Sequence, residues 1–296
     1  MVYLRTVTKQ IPESLRPAFQ HCARMAQDHY ENFPVASWLL PSHLRPHLHS
    51  IYAFARTADD FADEPGLEDD ERLEKLTDWR RRLHACRQQP DGPIFEALAE
   101  TIRQFDIPGR LLEDLLDAFS QDIVQSRHRT FDDLLAYSRK SANPVGRLVL
   151  ILFGYHDKDQ LSQSDAICTA LQLTNFWQDV GIDHDRDRIY LPQEDMNRYD
   201  ISETTLAQKV TTPGFRSLLS DLSERTRNLF LAGSGLPSTV TGRLRYELRM
   251  TWLGGWHILN QIEQVDYDVF RRRPTVTRWS ACRLLLRSLF PLRTPV

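Results

Sequence analysis

The stretch at residues 51–64 reads IYAFARTADDFADE and has the spacing of an acidic amphipathic helix. One stripe of that helix carries Tyr52, Arg56, Asp59, Asp60 and Asp63. Three carboxylates within one turn repel one another, and a bound cation relieves that repulsion. Mg²⁺ suits this task because it binds through one or two carboxylates and completes its shell with water and substrate phosphates. A solvated acidic helix end is the alternative that this stretch alone leaves open.

A second stretch, residues 171–183, reads LQLTNFWQDVGID and carries a polar stripe on an otherwise apolar helix. The stripe consists of Gln172, Asn175, Asp179 and Asp183, at positions i, i+3, i+7 and i+11. Buried carboxylates are costly unless they are paired or metal-bound, so the stripe is predicted to line a polar cavity. An acidic surface stripe is the alternative. Two such helices facing each other would hold metal and diphosphate between them.

The rest of the chain also has helical spacing. Apolar residues recur at intervals of three and four, for example in residues 111–119 and 215–222, and no long alternating strand pattern occurs. The pattern predicts an all-α fold of roughly nine to eleven helices. Residues 130–133 resemble a capping box, and residues 184–201 are predicted to form an irregular loop. One domain over residues 1–296, with 274–296 as a basic C-terminal tail, is the simplest organisation.

Composition narrows the class of protein. A net charge of −3 does not favour nucleic acid as a partner. The four cysteines form no C-x-x-C pair, which indicates reduced thiols rather than a zinc site. Residues 1–10 lack the apolar segment of a secretory signal, and the longest purely apolar run, residues 148–153, is too short to span a bilayer. These features predict a cytoplasmic protein.

The quoted motifs together resemble the squalene/phytoene synthase family. They are YAFARTADDFAD at 52–63, QLTNFWQDVGID at 172–183 and RIYLP at 188–192, and the likeness runs from about residue 29 to residue 273. The resemblance implies an all-α, single-domain isoprenoid synthase (terpenoid synthase) helical fold with a central active-site cavity. It also implies Mg²⁺ as the cofactor and a prenyl diphosphate as the substrate.

The resemblance assigns roles to individual residues. The implied metal ligands are Asp59, Asp63, Asn175, Asp179 and Asp183. The implied diphosphate contacts are Arg56, Asn32, Gln172, Asn175, Arg188, Tyr267 and Arg271. Catalytic roles fall to Tyr137, near the reacting carbons, and to Gln178, Asp59 and Asp179. Candidates for an aromatic lining that stabilises a carbocation are Phe33, Phe54, Phe176, Trp177 and Tyr137, although plain core packing is favoured for any single one of them.

Two departures from the family pattern are informative. Residues 30–37 read YENFPVAS where the family has Ser-x-Ser-Phe, and Gln178 replaces the usual arginine before Asp179. Together with SANPVGR at 141–147, these departures resemble the hydroxysqualene synthase branch of hopanoid biosynthesis, which ionises presqualene diphosphate and adds water. We predict that Gln178 positions that water or removes a charge that would disfavour the carbocation; packing against a neighbouring helix is the alternative. The runner-up function is presqualene diphosphate, phytoene or dehydrosqualene-type synthesis, and a non-catalytic assembly factor is the non-enzyme alternative.

Two further clusters have open interpretations. His43, His47 and His49 lie near a helix start, where a solvated helix end is favoured over a metal site. In the tail, one helical side is predicted to carry Trp279, Cys282, Leu286, Leu289 and Phe290, with Arg283 and Arg287 beside it and Leu284 breaking the pattern. This is typical either of peripheral contact with anionic lipid at the inner membrane face or of a terminal helix packed on the domain.

Overall fold

A computed structural model describes residues 10–28, 41–64 and 66–292. Asn32, Phe33 and the 30–37 segment lie outside the described residues. Within the described ranges the structure is helical, with a 3₁₀ turn at Glu13–Leu15, no β-strand, and an isolated parallel bridge between Arg127 and Ile189. The all-α prediction is confirmed.

The described residues group into two compact units, one formed by residues of 1–123 and 148–155 and the other by residues of 124–147 and 156–296. The prediction of one domain over the whole chain stays a prediction. The helices are α1 Arg16–Asp28, α2 Arg45–Asp63, α3 Asp69–Ala85, α4 Pro93–Phe105, α5 Gly109–Val124, α6 Phe131–Ser141, α7 Asn143–Leu152, α8 Lys158–Gln178, α9 Val180–Asp185, α10 Gln193–Arg198, α11 Glu203–Ala207, α12 Pro213–Gly233, α13 Leu236–Thr239, α14 Gly242–Gln264 and α15 Arg278–Ser288.

Short helices account for the main difference from the predicted pattern. Eleven described helices have ten residues or more, in line with the predicted nine to eleven, and four have six or fewer. The irregular loop predicted for residues 184–201 is wrong over residues 193–198, where α10 forms. Asp195 of α10 is fully buried and is held by Arg198 at 3.0 Å and by Arg225 at 3.0 and 3.1 Å. A buried carboxylate needs such partners, and they fix this segment as a helix.

In the first unit, the apolar face of α2 forms part of the core. Ile51, Phe54, Ala58 and Ala62 are all buried. The ring of Phe54 stacks on Trp79, with centroids 6.0 Å apart. Phe54, a candidate for the aromatic lining, is fully buried in this cluster, which agrees with plain core packing, the interpretation favoured for any single one of these aromatics. Burial of that face leaves the acidic stripe of α2 partly exposed.

His47 corrects the interpretation of the histidine cluster as a solvated helix end. Its side chain is buried, its Nδ1 lies 2.9 Å from Thr101 Oγ1, and its ring packs edge-on against Phe19 and Phe105. Burial lowers the pKa of His47 to about 4, so the imidazole is neutral in the folded protein. The helical pattern places this histidine on the core face of α2, where a neutral hydrogen-bonded ring is tolerated.

In the second unit, α8 packs against α12, α14 and α6. Trp177 is fully buried and donates from Nε1 to Thr226 Oγ1 at 2.8 Å, so this candidate lining residue is also a core residue. Gly146 allows α7 to approach α8 closely, because a Cβ there would lie 2.5 Å from Ser164 Oγ and from Cys168 Sγ. The 141–147 segment therefore positions α8.

Local capping follows the sequence signals. Thr130 Oγ1 accepts from the Asp133 N–H at 3.1 Å, and Asp133 Oδ2 accepts from the Thr130 N–H at 2.9 Å, which confirms the capping box at the start of α6.

All four cysteines are described and none is in a disulfide. No helix in the described ranges has the length and apolar character needed to cross a bilayer.

Glu247 of α14 gives a pH-dependent stability prediction. Its Oε2 is buried without a hydrogen-bond partner, and burial raises the pKa of this carboxyl from 4.5 to about 7. Because the folded state binds this proton more tightly than the unfolded state, ionisation costs stability progressively as pH rises from the unfolded to the folded pKa. We expect Glu247→Gln to raise the free energy of unfolding by about 1–3 kcal/mol at about pH 8, and less near pH 5. Urea unfolding at both pH values measures this.

The matched control is Glu224→Gln, an exposed carboxylate on α12 with the same charge change. It should leave the free energy of unfolding nearly unchanged at both pH values. An equal effect of the two substitutions would show that the gain at high pH comes from net charge and not from the burial of Glu247.

Candidate active site

The first acidic motif, at the C-terminal end of α2, carries its own counter-charge. Arg56 Nη1 lies 3.2 Å from Asp59 Oδ2, and Arg56 Nη2 lies 2.5 Å from Asp60 Oδ1. Asp63 is exposed one turn further on, at the last residue of the helix. The two pairs are at i,i+3 and i,i+4 spacing, so they form as soon as the helix does. A phosphate group that binds Arg56 has to compete with these carboxylates.

The second acidic motif lies where one helix gives way to the next. α8 ends at Gln178, α9 begins at Val180, and Asp179 between them has φ −107° and ψ 15°. Hydrogen bonding runs through this bend, since the Asp179 N–H donates to the Asn175 carbonyl and the Asp183 N–H to the Asp179 carbonyl, both at 2.9 Å. Asn175 Nδ2 also donates to Asp179 Oδ2 at 2.9 Å. Gln172 is half-buried one turn before Asn175.

The electrostatics of this motif favour a cation. Burial, and then the charge of Asp179, raise the pKa of Asp183 to about 7, although Arg186, Arg188 and Arg273 oppose the shift. Two neighbouring carboxylates in a partly desolvated position are costly while both are ionised. A divalent cation would remove this cost.

Arg273 supplies a positive charge to Asp179 in this structure. Its Nε and Nη2 lie 2.5 and 3.0 Å from the two carboxylate oxygens, and the Asp179 side chain is 14% exposed. The sequence did not single out Arg273; the diphosphate contact predicted for Arg271, two residues earlier, stays a prediction. The run of three arginines before Pro274 was the only signal in the sequence, and it does not distinguish its members.

Two more contacts hold the Arg273 segment against the motif. Gln178 Nε2 donates to the Pro274 carbonyl at 2.5 Å. Gly181 allows the Phe270 ring to approach, because a Cβ there would lie 3.2 Å from Phe270 Cδ1. The donor group of Gln178 is therefore used in holding a segment that is not helical, and the roles predicted for Gln178 stay predictions.

The backbone after α14 explains how the segment reaches α9. Asp266 and Tyr267 both have positive φ, 56° and 59°, a conformation that is strained in residues other than glycine. Contacts to α12 stabilise this reversal: Asp266 pairs with Arg216 at 2.6 Å, and Tyr267 Oη donates to Ser220 Oγ at 3.1 Å. The structure thus places Tyr267 at the chain reversal that leads to Arg273.

An aromatic cluster lies beside the second motif. The rings of Phe176 and Tyr190 stack with centroids 3.7 Å apart and an interplanar angle of 6°, and Tyr137 and His128 adjoin them. Of the predicted lining residues, Tyr137 and Phe176 belong to this cluster, and both are largely buried. Tyr190 and His128 were missed, although Tyr190 lies inside the quoted RIYLP motif.

A small cavity of about 10 Å³ adjoins the cluster and has room for about one water molecule. Its walls include Phe176, Tyr190, Asp183 and Arg188. The second motif, the aromatic cluster and Arg188 therefore share one microenvironment within the second unit.

Arg127 fixes the loop that carries Arg188 and Tyr190. Its guanidinium lies 2.7 Å from Asp187 Oδ1 and 2.9 Å from Glu203 Oε1. The Ile189 N–H donates to the Ser126 carbonyl at 2.9 Å, next to the isolated bridge. The loop is thus held on either side of Arg188, by the ion pair at Asp187 and by the backbone hydrogen bond at Ile189.

The donor set fits Mg²⁺ better than a metal that needs an all-protein site. The described residues contain no group of three His, Cys, Asp or Glu side chains arranged to hold a metal ion. Each motif instead offers nearby carboxylates, joined in the second motif by the Asn175 amide. Mg²⁺ is bound in this manner, with water and substrate phosphate completing its shell.

The similarity of this chain to known proteins identifies its family. The model of the squalene/phytoene synthase family matches residues 26–280. The chain belongs to the squalene/phytoene synthase family. It is 36% identical over 210 residues to a hydroxysqualene synthase of Rhodopseudomonas palustris, covering 70% of each chain. It is 28% identical over 279 residues to a 15-cis-phytoene synthase of Synechococcus elongatus, covering 90% of each.

A solved structure of the family supports the fold. The crystal structure of a squalene synthase, HpnC, from Alicyclobacillus acidocaldarius has a TM-score of 0.83 and 37% identity, covering 87% of this chain and 97% of that one. The isoprenoid synthase helical fold implied by the resemblance is therefore confirmed. Members of the family are prenyl-diphosphate enzymes, which agrees with the acidic motifs described above.

Arg273 gives a prediction about metal binding. Because its guanidinium neutralises Asp179, a metal ion that binds Asp179 has to displace it. We expect Arg273→Gln to tighten the binding of Mg²⁺ or Mn²⁺ in the absence of diphosphate by about three- to tenfold, the effect of losing a competing ion pair of about 1 kcal/mol. Isothermal titration calorimetry with the metal alone measures this.

Arg272→Gln is the control, since Arg272 is exposed, carries the same charge and lies one residue away. If both variants changed metal affinity equally, the effect would be one of general charge. If Arg273→Gln left metal affinity unchanged, Asp179 would not be a metal ligand that competes with Arg273.

Proposed function

We propose that the protein is a Mg²⁺-dependent hydroxysqualene synthase of squalene and hopanoid biosynthesis, a carbon–oxygen lyase. It converts presqualene diphosphate and water into hydroxysqualene and diphosphate. The C–O bond to diphosphate breaks, the resulting cyclopropylcarbinyl cation rearranges, and a water oxygen bonds to the carbocation while its proton passes to solvent. The observation that carries the proposal is the 36% identity to a hydroxysqualene synthase over 70% of both chains.

The residues of the second unit support the binding half of this reaction. Arg188 and Arg273 offer guanidinium groups beside the carboxylates of Asp179 and Asp183, where a diphosphate with its metal would bring compensating charge. Mg²⁺, when bound, supplies Lewis-acid stabilisation of the leaving diphosphate. Asp179, Asp183 and Asn175 would hold it in the second motif, and Asp59 and Asp63 in the first.

The aromatic cluster supports the carbocation half. Tyr137, Phe176 and Tyr190 place ring faces beside the second motif, and such faces stabilise cations in surroundings from which bulk water is excluded. Gln178 contributes to the carbocation step through its neutral side chain. An arginine at this position would add a permanent positive charge beside Asp179 and would lack the acceptor group of an amide. In this proposal Gln178 also positions Arg273 through Pro274.

Condensation of two prenyl diphosphates is the second candidate function. The identity to a 15-cis-phytoene synthase is lower, at 28%, but that match covers 90% of this chain, whereas the match to the hydroxysqualene synthase covers 70%. A non-catalytic assembly factor is disfavoured, because such a protein would be expected to lose the acidic residues that are all present here. The apolar product also favours a cytoplasmic enzyme that works in peripheral contact with a membrane.

The choice between these reactions can be tested by product analysis. Offered presqualene diphosphate alone, the purified protein should yield an alcohol without NADPH, and in ¹⁸O-labelled water the label should appear in that alcohol by mass spectrometry. Farnesyl diphosphate offered alone should remain unconsumed. Formation of presqualene diphosphate from farnesyl diphosphate would move the protein to the second candidate function.

The role of the acidic motifs can be tested by charge removal. Asp59→Asn and Asp179→Asn each remove a carboxylate charge with little change in volume, and each should lower turnover about a hundredfold or more while helix content stays unchanged. Activity should also be lost in excess EDTA and return with Mg²⁺. Diphosphate release and circular dichroism measure the two quantities.

Asp185→Asn is the matched control, because this exposed carboxylate lies two residues from Asp183 and binds Lys209 at 2.7 Å. It should retain activity near that of the wild type. Full activity of Asp59→Asn or Asp179→Asn would remove that carboxylate from the proposed site.

A further inference from the structure

The C-terminal helix α15 has an apolar surface that faces away from the domain. Leu284 and Ser288 are buried where α15 packs on α14. Opposite Leu284, at about 100° per residue, lie Trp279, Cys282 and Leu286. Together with Leu289 and Phe290, which directly follow the last helical residue, they form what we call the outer stripe. The side chains of this outer stripe are exposed, Trp279 by 87%, Phe290 by 67% and Leu286 by 64%. Leu284, which broke the predicted pattern, is the residue that faces the domain.

The orientation of α15 is fixed by contacts on its inner side. Arg249 of α14 is buried and donates from Nη1 to the carbonyls of Ser288 and Leu289, at 3.2 and 3.4 Å. These are the carbonyls at the end of α15, which have no partner within the helix. The outer stripe therefore cannot turn inward without losing Leu284 burial and this cap.

Arginines flank the outer stripe on both sides. Arg278 lies on one side and Arg283 and Arg287 on the other, and all three are exposed. No ion pair within the described part of the chain involves any of them, and residues 271–296 contain seven arginines and no acidic residue. Long cationic side chains beside an apolar strip can extend toward lipid headgroups while the strip enters the acyl boundary.

We infer that the outer stripe of α15, with Arg278, Arg283 and Arg287, docks the protein on an anionic lipid bilayer. This gives the peripheral membrane contact of the proposed function a specific surface and lipid chemistry. Charge favours an anionic bilayer over a second copy of the chain as the binding partner of this surface. Two copies meeting through the outer stripe would bring their arginine rows together with no acidic partner on either patch, whereas anionic headgroups neutralise both rows.

Vesicle binding tests the electrostatic part of the inference. The wild-type chain, without substrate, should co-sediment with vesicles of phosphatidylcholine and phosphatidylglycerol, more weakly with phosphatidylcholine alone, and more weakly at high salt. Arg283→Gln/Arg287→Gln should lose about 25-fold in affinity for the anionic vesicles, a factor of about five for each arginine. Arg24→Gln/Arg243→Gln, exposed arginines outside α15, should lose much less.

A second pair of variants tests the apolar part. Trp279→Ser/Leu286→Ser should weaken binding to the anionic vesicles about tenfold or more, since it removes most of the inserted area. Val124→Ser/Val210→Ser, at exposed valines elsewhere, is the control. Turnover of detergent-dispersed substrate by the α15 variants measures the proposed reaction separately, so loss of vesicle binding and loss of the proposed function are distinguishable.

Cys282 provides a direct readout of the docked surface. It is the exposed cysteine on the outer stripe, while Cys22 and Cys86 are buried. An environment-sensitive fluorophore on Cys282 should shift its emission to the blue on addition of anionic vesicles. An unchanged emission in a protein that co-sediments would show that another surface binds lipid. Absence of vesicle binding, with a dimer in analytical ultracentrifugation that Leu286→Glu dissociates, would make the outer stripe a protein interface. Either result overturns the inference.

Discussion

The cost of keeping two carboxylates on a largely buried helix shapes the second unit. Asp179 and Asp183 lie at the junction of α8 and α9, beside Phe176 and Val180, and burial raises the pKa of Asp183 to about 7. Such a pair requires compensating charge, which the structure provides through Arg273. This explains why the backbone after α14 reverses through two left-handed residues, and why Gln178 and Gly181 receive the 270–274 segment.

The two acidic motifs solve the same electrostatic problem differently. In α2, Arg56 is on the same helix as the carboxylates, so its ion pairs are local. In α8 and α9, the counter-charge comes from a residue 94 positions away in sequence. The first motif can therefore form with its helix, whereas the second reaches its charge balance only when α12, α14 and the chain reversal are in place. Stabilisation of the second motif is thus tied to the tertiary structure of its unit.

Local sequence signals predicted the parts of the site that depend on local interactions. Helical periodicity identified α2 and α8, and the capping box identified the start of α6, because each depends on residues three or four apart. Arg273 could not be distinguished from Arg271, since the choice depends on the positive φ angles of Asp266 and Tyr267, a conformation usually signalled by glycine. His47 was misassigned because periodicity places a residue on a face without saying what covers that face.

The same chain segment links the charge balance of the second motif to the C-terminal helix. Only residues 274–277 separate Arg273 from the start of α15. The segment is held at its beginning by Asp179 and Gln178, and at the end of α15 by the cap from Arg249. With both ends anchored to the same unit, α15 keeps its outer stripe exposed at the cost of unburied apolar area. If α15 docks on lipid as proposed, a fixed apolar surface within a few residues of the second motif would bring the proposed chemistry of very apolar substrates and products close to the bilayer.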